Sequence, residues 1–298
     1  MSLIPGDHGG DGPRVARALG LEPGDILDLS QSLNPLAPDP RPVLARHLDA
    51  IGRYPDPSAA TDALARHMGL DRERLLLTNG GAEAIALVAS ELGGSVDEPE
   101  FALHPRGTGP RWRSNPHNPS GRLAGADETA VVWDEAFYPL ATGQWTRGDD
   151  AVIVGSLTKL LACPGLRVGY VIASPDVLDA CRRGQPAWSV NGLVCEALGE
   201  LLDGFDLVEI ATGVASLRRE LVGVLDDHGL AVAPGDANWV LVERPGLREA
   251  LIGRRILVRD CANFGLEGVS RIAVPDERGL DALDRALTSL AGWIDESN

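Results

Sequence analysis

Short, wholly apolar segments, each running into a turn, recur through the first two thirds of the chain, and this rhythm narrows the possible folds more than any other feature. RLLLT (74–78) passes through NGG into a helix-like stretch that ends near Gly94. AVVWDE (130–135), AVIVGS (151–156) and RVGYVIA (167–173) are further segments of the same kind. Strands without polar alternation suit a parallel sheet buried on both faces. Helical periodicity marks 41–51 and 58–69, the second with Ser58 as a candidate cap, and 189–228 reads as mainly helical. After residue 230 the pattern changes: LAVAP, ANWVLVE, a helix near 246–253, RILVRD, SRIAV and a last helix near 276–292 suggest a smaller α/β unit. The expected class is α/β. A large domain with a mainly parallel sheet is expected over 30–205 and a small C-terminal domain over 206–298, with residues 1–29 packing on the latter.

A chain of 298 residues buries enough surface to fold without staples. The formal net charge of −16 argues against nucleic acid or an anionic membrane surface as the principal partner. No apolar run approaches the roughly 20 residues of a membrane span. The start, MSLIPGDHGGDGPR, does not read as a secretory signal. Cys163, Cys181, Cys195 and Cys261 have no metal-ligand spacing, so reduced thiols, a cytoplasmic location and no metal are expected.

Of 27 basic residues, 26 are Arg, and Lys159 is the single Lys. A primary amine differs from a guanidinium in two useful ways: it loses its proton readily, and it forms an imine with an aldehyde. A lone Lys left on a solvated face is the competing explanation, so the neighbouring residues decide. In T78-N-G-G-A-E-A, a strand-to-helix turn places free N–H groups and the positive end of a helix dipole where a phosphate would bind; a plain turn is the alternative. In S114-N-P-H-N-P-S-G121, two Asn-Pro steps demand a rigid extended turn. Asp134 ends an apolar strand, at the sheet edge where ligands lie, as a partner for a protonated ring nitrogen or as a loop acid. The stretch V154-G-S-L-T-K-L-L-A-C-P-G-L-R-V-G-Y170 brings Ser156, Thr158 and Arg167, groups suited to a phosphate, close to Lys159. Burial and the nearby Arg would lower the amine's proton affinity.

These motifs, N-G-G-A-E, N-P-x-N-P-S-G, D-E-A-F, S-L-T-K and P-G-L-R-V-G-Y, stand in the order in which they occur in fold type I pyridoxal-phosphate enzymes. The chain resembles the class I/II aminotransferases from about Ser30 to Ala291. The resemblance is nearest the branch that holds histidinol-phosphate aminotransferases and threonine-phosphate decarboxylases. R255-I-L-V-R-D-C-A-N-F and S270-R-I-A-V resemble the decarboxylases of cobalamin biosynthesis. The resemblance implies pyridoxal 5'-phosphate as cofactor, joined to Lys159 as an imine, with Asp134 holding the ring nitrogen's proton. It implies that Asn118 binds the phenolic oxygen and that Gly81, Ala82, Ser156, Thr158 and Arg167 hold the phosphate. Tyr54 would reach the phosphate of a neighbouring subunit, in a homodimer, or pack within its own loop. Arg271 would grip the substrate carboxylate. Asn34 and Asn191 would face the substrate, and Arg259 is a candidate for a substrate phosphate or an ordinary solvated Arg.

Two departures from the family pattern stand out. The Tyr usual after D-E-A is Phe137 here, with Tyr138 one place later, which removes a bond to the phenolic oxygen. Between E98-P-E-F and N115-P-H-N a strand and helix are missing, and only a short basic loop remains. His104 in that loop falls near the ring-stacking position, with a solvent-exposed His as the alternative. The leading expectation is decarboxylation of an O-phospho amino acid. An aminotransferase acting on a phosphorylated or aromatic amino acid is the second reading. A third is a non-catalytic binding protein of the same fold.

Overall fold

The computed structural model describes residues 8–148 and 151–295. Among the described residues, eleven strands fall into three sheets. They are β1 (Leu27–Asp28), β2 (Leu75–Thr78), β3 (Trp112–Ser114), β4 (Val132–Asp134), β5 (Val152–Ser156), β6 (Gly169–Ile172), β7 (Val232–Ala233), β8 (Trp239–Glu243), β9 (Ile256–Leu257), β10 (Arg259–Asp260) and β11 (Val269–Ala273). The main sheet has the order β2-β6-β5-β4-β3. Its strands run parallel except β6, which opposes both of its neighbours. The apolar RVGYVIA segment gives no hint of that direction, because burial on both faces produces the same composition either way.

Successive residues of these strands enter different cores, as a period of two requires. Leu75, Leu77 and Ile153 join Leu64, Trp133, Tyr170 and Leu198 on one face. Leu76, Val152 and Val154 join Ile85, Val88, Trp112 and Leu178 on the other. The Ala-rich helix Gly80–Leu92 crosses the second face and starts directly from β2. Gly169 lets it do so: a Cβ there would lie 2.4 Å from the carbonyl carbon of Gly80.

The helix expected over 41–51 is a short α-helix, Arg41–Arg46, followed by a 3₁₀ segment, Leu48–Gly52. Ser58 opens the helix Ser58–Met68 without capping it; instead the Asp56 carboxylate accepts from the Ser58 N–H at 3.0 Å. The expected helical stretch 189–228 resolves into helices Gly192–Asp203 and Leu207–Asp227. Asn191 caps the first through the Val194 N–H, and Asp206 caps the second. The long second helix serves two cores. Leu207, Ile210 and Val214 belong to the main-sheet core, whereas Leu217, Leu221 and Leu225 pack with Val240, Val242, Leu251 and Leu283.

The C-terminal sheet, β10-β11-β8-β7, is antiparallel throughout. The N-terminal segment supplies the helix Gly12–Leu19 and β1, which pairs parallel with β9 in a separate two-stranded sheet. Val15, Ala16 and Ile26 pack on Ile252 and Leu257. No helix among the described residues is long and apolar enough to cross a membrane.

Candidate active site

A cavity of about 620 Å³ lies between the carboxyl ends of β4 and β5, the start of the helix Gly80–Leu92, and the edge of the C-terminal sheet. Its place follows the rule that ligands of open α/β sheets bind beyond the carboxyl ends of the strands. Its volume is that of a small-molecule site.

β5 delivers Ser156 at its last position, and the helical turn Leu157–Leu160 follows at once. This turn projects Thr158 and Lys159 onto the cavity wall. The Lys159 Nζ donates to the Gln31 carbonyl at 3.2 Å and lies 5.6 Å from the centre of the Phe137 ring. Burial, followed by the charges of Arg271, Arg167 and Arg259, lowers its pKa from 10.5 to about 8. About a tenth of this amine is therefore unprotonated at pH 7, far more than for an ordinary Lys.

Asp134 ends β4 and faces the cavity. One of its oxygens accepts from the Ala136 N–H at 3.0 Å, and the other meets Nε2 of His104 at 3.0 Å. An ionised carboxylate has further lone pairs, so it can take one more donor from the cavity. Gly81, Ala82 and Arg167 line the end of the cavity nearest the helix start. Gly80 adopts φ 78, and a Cβ there would lie 2.3 Å from the Arg167 guanidinium. The Thr158 hydroxyl is buried without a hydrogen-bond partner. Free helix N–H groups, a guanidinium and an orphaned hydroxyl on one wall have the chemistry of a phosphate cradle.

Arg271 on β11 and Arg259 on β10 are Cα partners across the ladder, and both line the cavity. The Arg271 guanidinium donates to the Asn118 side-chain oxygen at 2.7 Å, and its Nε is buried without a partner. That bond leaves the Asn118 NH₂ group for a ligand. Burial, then Arg259, lowers the Arg271 pKa to about 10, so it stays charged at neutral pH.

Several expected residues stand elsewhere. His104 is not on the cavity wall: it is 2% exposed and sits behind Asp134, where the carboxylate draws it. Phe101 takes the wall position, with its ring 5.6 Å from that of His104 and 6.0 Å from that of His8. Asn34 and Asn191 spend their amides on the backbone and do not face the cavity. The Asn34 side chain donates to the Leu160 carbonyl and accepts from the Leu36 N–H, while that of Asn191 donates to Leu166 besides capping its helix. Tyr54 is 80% exposed and stacks on Trp188, with ring centres 4.6 Å apart. Phe137 lines the cavity and packs edge-on against Trp239, and Tyr138 does not replace it there. His8, Gln31, Phe101 and Leu103 are wall residues that no motif marked.

An α/β sheet with a lone buried amine, a facing carboxylate and a phosphate cradle at its carboxyl edge defines a class of enzyme that works on a small anionic ligand through an attached group. The chain belongs to the class I and II aminotransferase family, whose model matches residues 113–287. It is 31% identical to the threonine-phosphate decarboxylase of Salmonella typhimurium, an alignment covering 98% of this chain and 99% of that protein. It is 30% identical to the histidinol-phosphate aminotransferase of Symbiobacterium thermophilum, covering 92% and 93%. The fold matches that of the histidinol-phosphate aminotransferase of Sinorhizobium meliloti, solved in complex with pyridoxal-5'-phosphate, with a TM-score of 0.82 at 18% identity over 99% of this chain and 96% of that one.

Proposed function

We propose that this protein is a pyridoxal-5'-phosphate enzyme that decarboxylates an O-phospho amino acid, as the resemblance to threonine-phosphate decarboxylases suggests. The observation that carries the reading is the pair Arg259 and Arg271, side by side on one wall with Lys159 and Asp134. Two buried cations suit a ligand with two anionic groups. Arg271 takes the carboxylate through a planar fork of donors. Arg259, with His8 on the same wall, takes the phosphate.

The cofactor, when bound, supplies a ring that takes up the electron pair released at the substrate Cα. Asp134 holds the proton on its ring nitrogen, with His104 behind it fixing the carboxylate. Gly81, Ala82, Ser156, Thr158 and Arg167 hold its phosphate, and Asn118 meets its phenolic oxygen. Lys159 would provide the amine that attaches it and, once displaced by the substrate's own amine, would carry a proton to Cα after CO₂ leaves, a transfer that its lowered proton affinity favours. The exposed Tyr54 and Trp188 rings support a homodimer that covers them.

The aminotransferase reading is favoured by the nearly equal match to a histidinol-phosphate aminotransferase. A product assay with O-phospho-L-threonine separates the two. CO₂ released in step with a phosphorylated amine supports decarboxylation. A 2-oxo acid formed without CO₂ overturns it in favour of amino transfer.

A further inference from the structure

The short segment between the helix Gly80–Leu92 and β3 contains a buried acid that the account above leaves unused. Glu100 is 3% exposed. A carboxylate is costly to bury unless donors converge on it. Three do so here. One Glu100 oxygen accepts from the Phe101 N–H at 2.8 Å and from the Ser114 hydroxyl, and the other accepts from the Ser114 N–H at 2.9 Å. The same acid adds to the field that keeps Arg113 charged, and it lies 3.8 Å from Nδ1 of His104.

The contacts with Phe101, Ser114 and His104 lead to the wall of the cavity. Ser114 has one hydroxyl proton, and giving it to Glu100 turns its lone pairs toward the Asn118 N–H, 2.8 Å away. That contact anchors the turn on which Asn118 meets Arg271. The Phe101 bond sets the residue whose ring lines the cavity. The Phe101 carbonyl in turn accepts from the His104 N–H at 3.0 Å, and the His104 ring reaches Asp134. From outside, the same segment is clamped separately by Arg106. Its guanidinium donates to the carbonyls of Glu100, Phe101, Ala102 and His104, and it pairs with Glu98 at 2.7 Å.

We infer that Glu100 is a positioning residue of the cofactor site, setting Phe101, Asn118 and the His104–Asp134 pair together from behind the wall; the inference rests on the pyridoxal-phosphate reading. An acceptor-only group suits three converging donors. Glu100→Gln replaces one acceptor oxygen by an NH₂ that opposes a donor. Glu100→Asp keeps an acceptor-only group, and Arg106→Ala loosens the same segment at its carbonyls while leaving in place the three donors that meet the Glu100 carboxylate.

The test follows the ring-nitrogen proton NMR signal of His104 in the cofactor-free protein, then titrates pyridoxal phosphate and follows its visible band. Wild type, E100Q, E100D and R106A are compared. The expected result is that E100Q loses the protected His104 signal and binds the cofactor about tenfold or more weakly. E100D should recover the signal at least in part, which also covers a failure of E100Q to fold. R106A should melt at a lower temperature while keeping the signal and the affinity. The inference is overturned if E100Q keeps both, or if E100Q and R106A move every readout in parallel, as a purely structural acid would. If wild type takes up no pyridoxal phosphate yet E100Q still loses the His104 signal, the cofactor reading falls while the hold of Glu100 on His104 is supported.

Discussion

Arg259 and Arg271 face each other directly across the β10–β11 ladder, with 5% and 6% of their surfaces exposed. Like charges opposed on one face of a sheet destabilise it. Arg259 lies over Phe264 and Arg271 over Trp239, contacts that ease but do not remove the repulsion. On the proposed function, the anionic groups of a substrate would offset the rest.

The two arginines should therefore fail differently. Arg271→Ala should still take up cofactor and lose affinity for every amino acid tested. A charge-assisted bond of about 1.5–3 kcal/mol corresponds to roughly a tenfold to hundredfold loss. Arg259→Ala should lose affinity for O-phosphothreonine and leave that for threonine almost unchanged. Titration of both variants with both amino acids checks this, and equal losses for Arg259→Ala would remove the phosphate assignment.

The Lys159 amine should react as a group with a pKa of about 8. Below that pH it is protonated and inert toward aldehydes; above it the free amine reacts. Reductive labelling of the Lys159 peptide should thus rise through about pH 8, not through 10.5. Arg271→Ala removes the second-largest cause of the shift, and the midpoint should move upward. Native Lys159 gives up its proton more readily than the unfolded chain's amine does. This group therefore adds stability as pH rises from about 8 to 10.5 and none further above. A labelling midpoint near 10.5 would show an ordinary solvated amine.

Asp134→Asn should fold normally, because the amide keeps an acceptor for the Ala136 N–H, yet turnover should fall by more than about a hundredfold, since an amide holds the ring proton poorly. A melting temperature near wild type with under tenfold loss of activity would make Asp134 a structural acid.

Light scattering at micromolar concentration should report a dimer. Tyr54 and Trp188 stack on each other while 80% and 63% exposed, an aromatic pair that a subunit contact would cover. Tyr54→Asp together with Trp188→Asp should give a monomer. A wild-type monomer that retains cofactor would contradict the dimer.

The sequence made the sheet-edge residues legible for a physical reason. Lys159, Asp134 and Asn118 lie where a strand ends, and the backbone alone carries them to the cavity. Arg271 follows from the register of a single strand, β11. Asn34 and Asn191 illustrate the limit: a polar side chain in a turn competes for nearby backbone groups, and both amides are spent there. His104 reads as a ring-stacking residue or a surface loop residue until Glu100 and Asp134 are seen to enclose it. Glu100, His8 and Phe101 carry no local signal, since their placement depends on how a short loop and a distant N-terminal segment close over the sheet.

Borohydride trapping shows whether Lys159 carries the cofactor. Protein loaded with pyridoxal 5'-phosphate is reduced, digested and mapped by mass. A visible band bleached by borohydride and one pyridoxyl adduct, on the peptide containing Lys159, are expected, with neither in Lys159→Arg. A reducible band that survives in Lys159→Arg, or an adduct confined to another peptide, would contradict it.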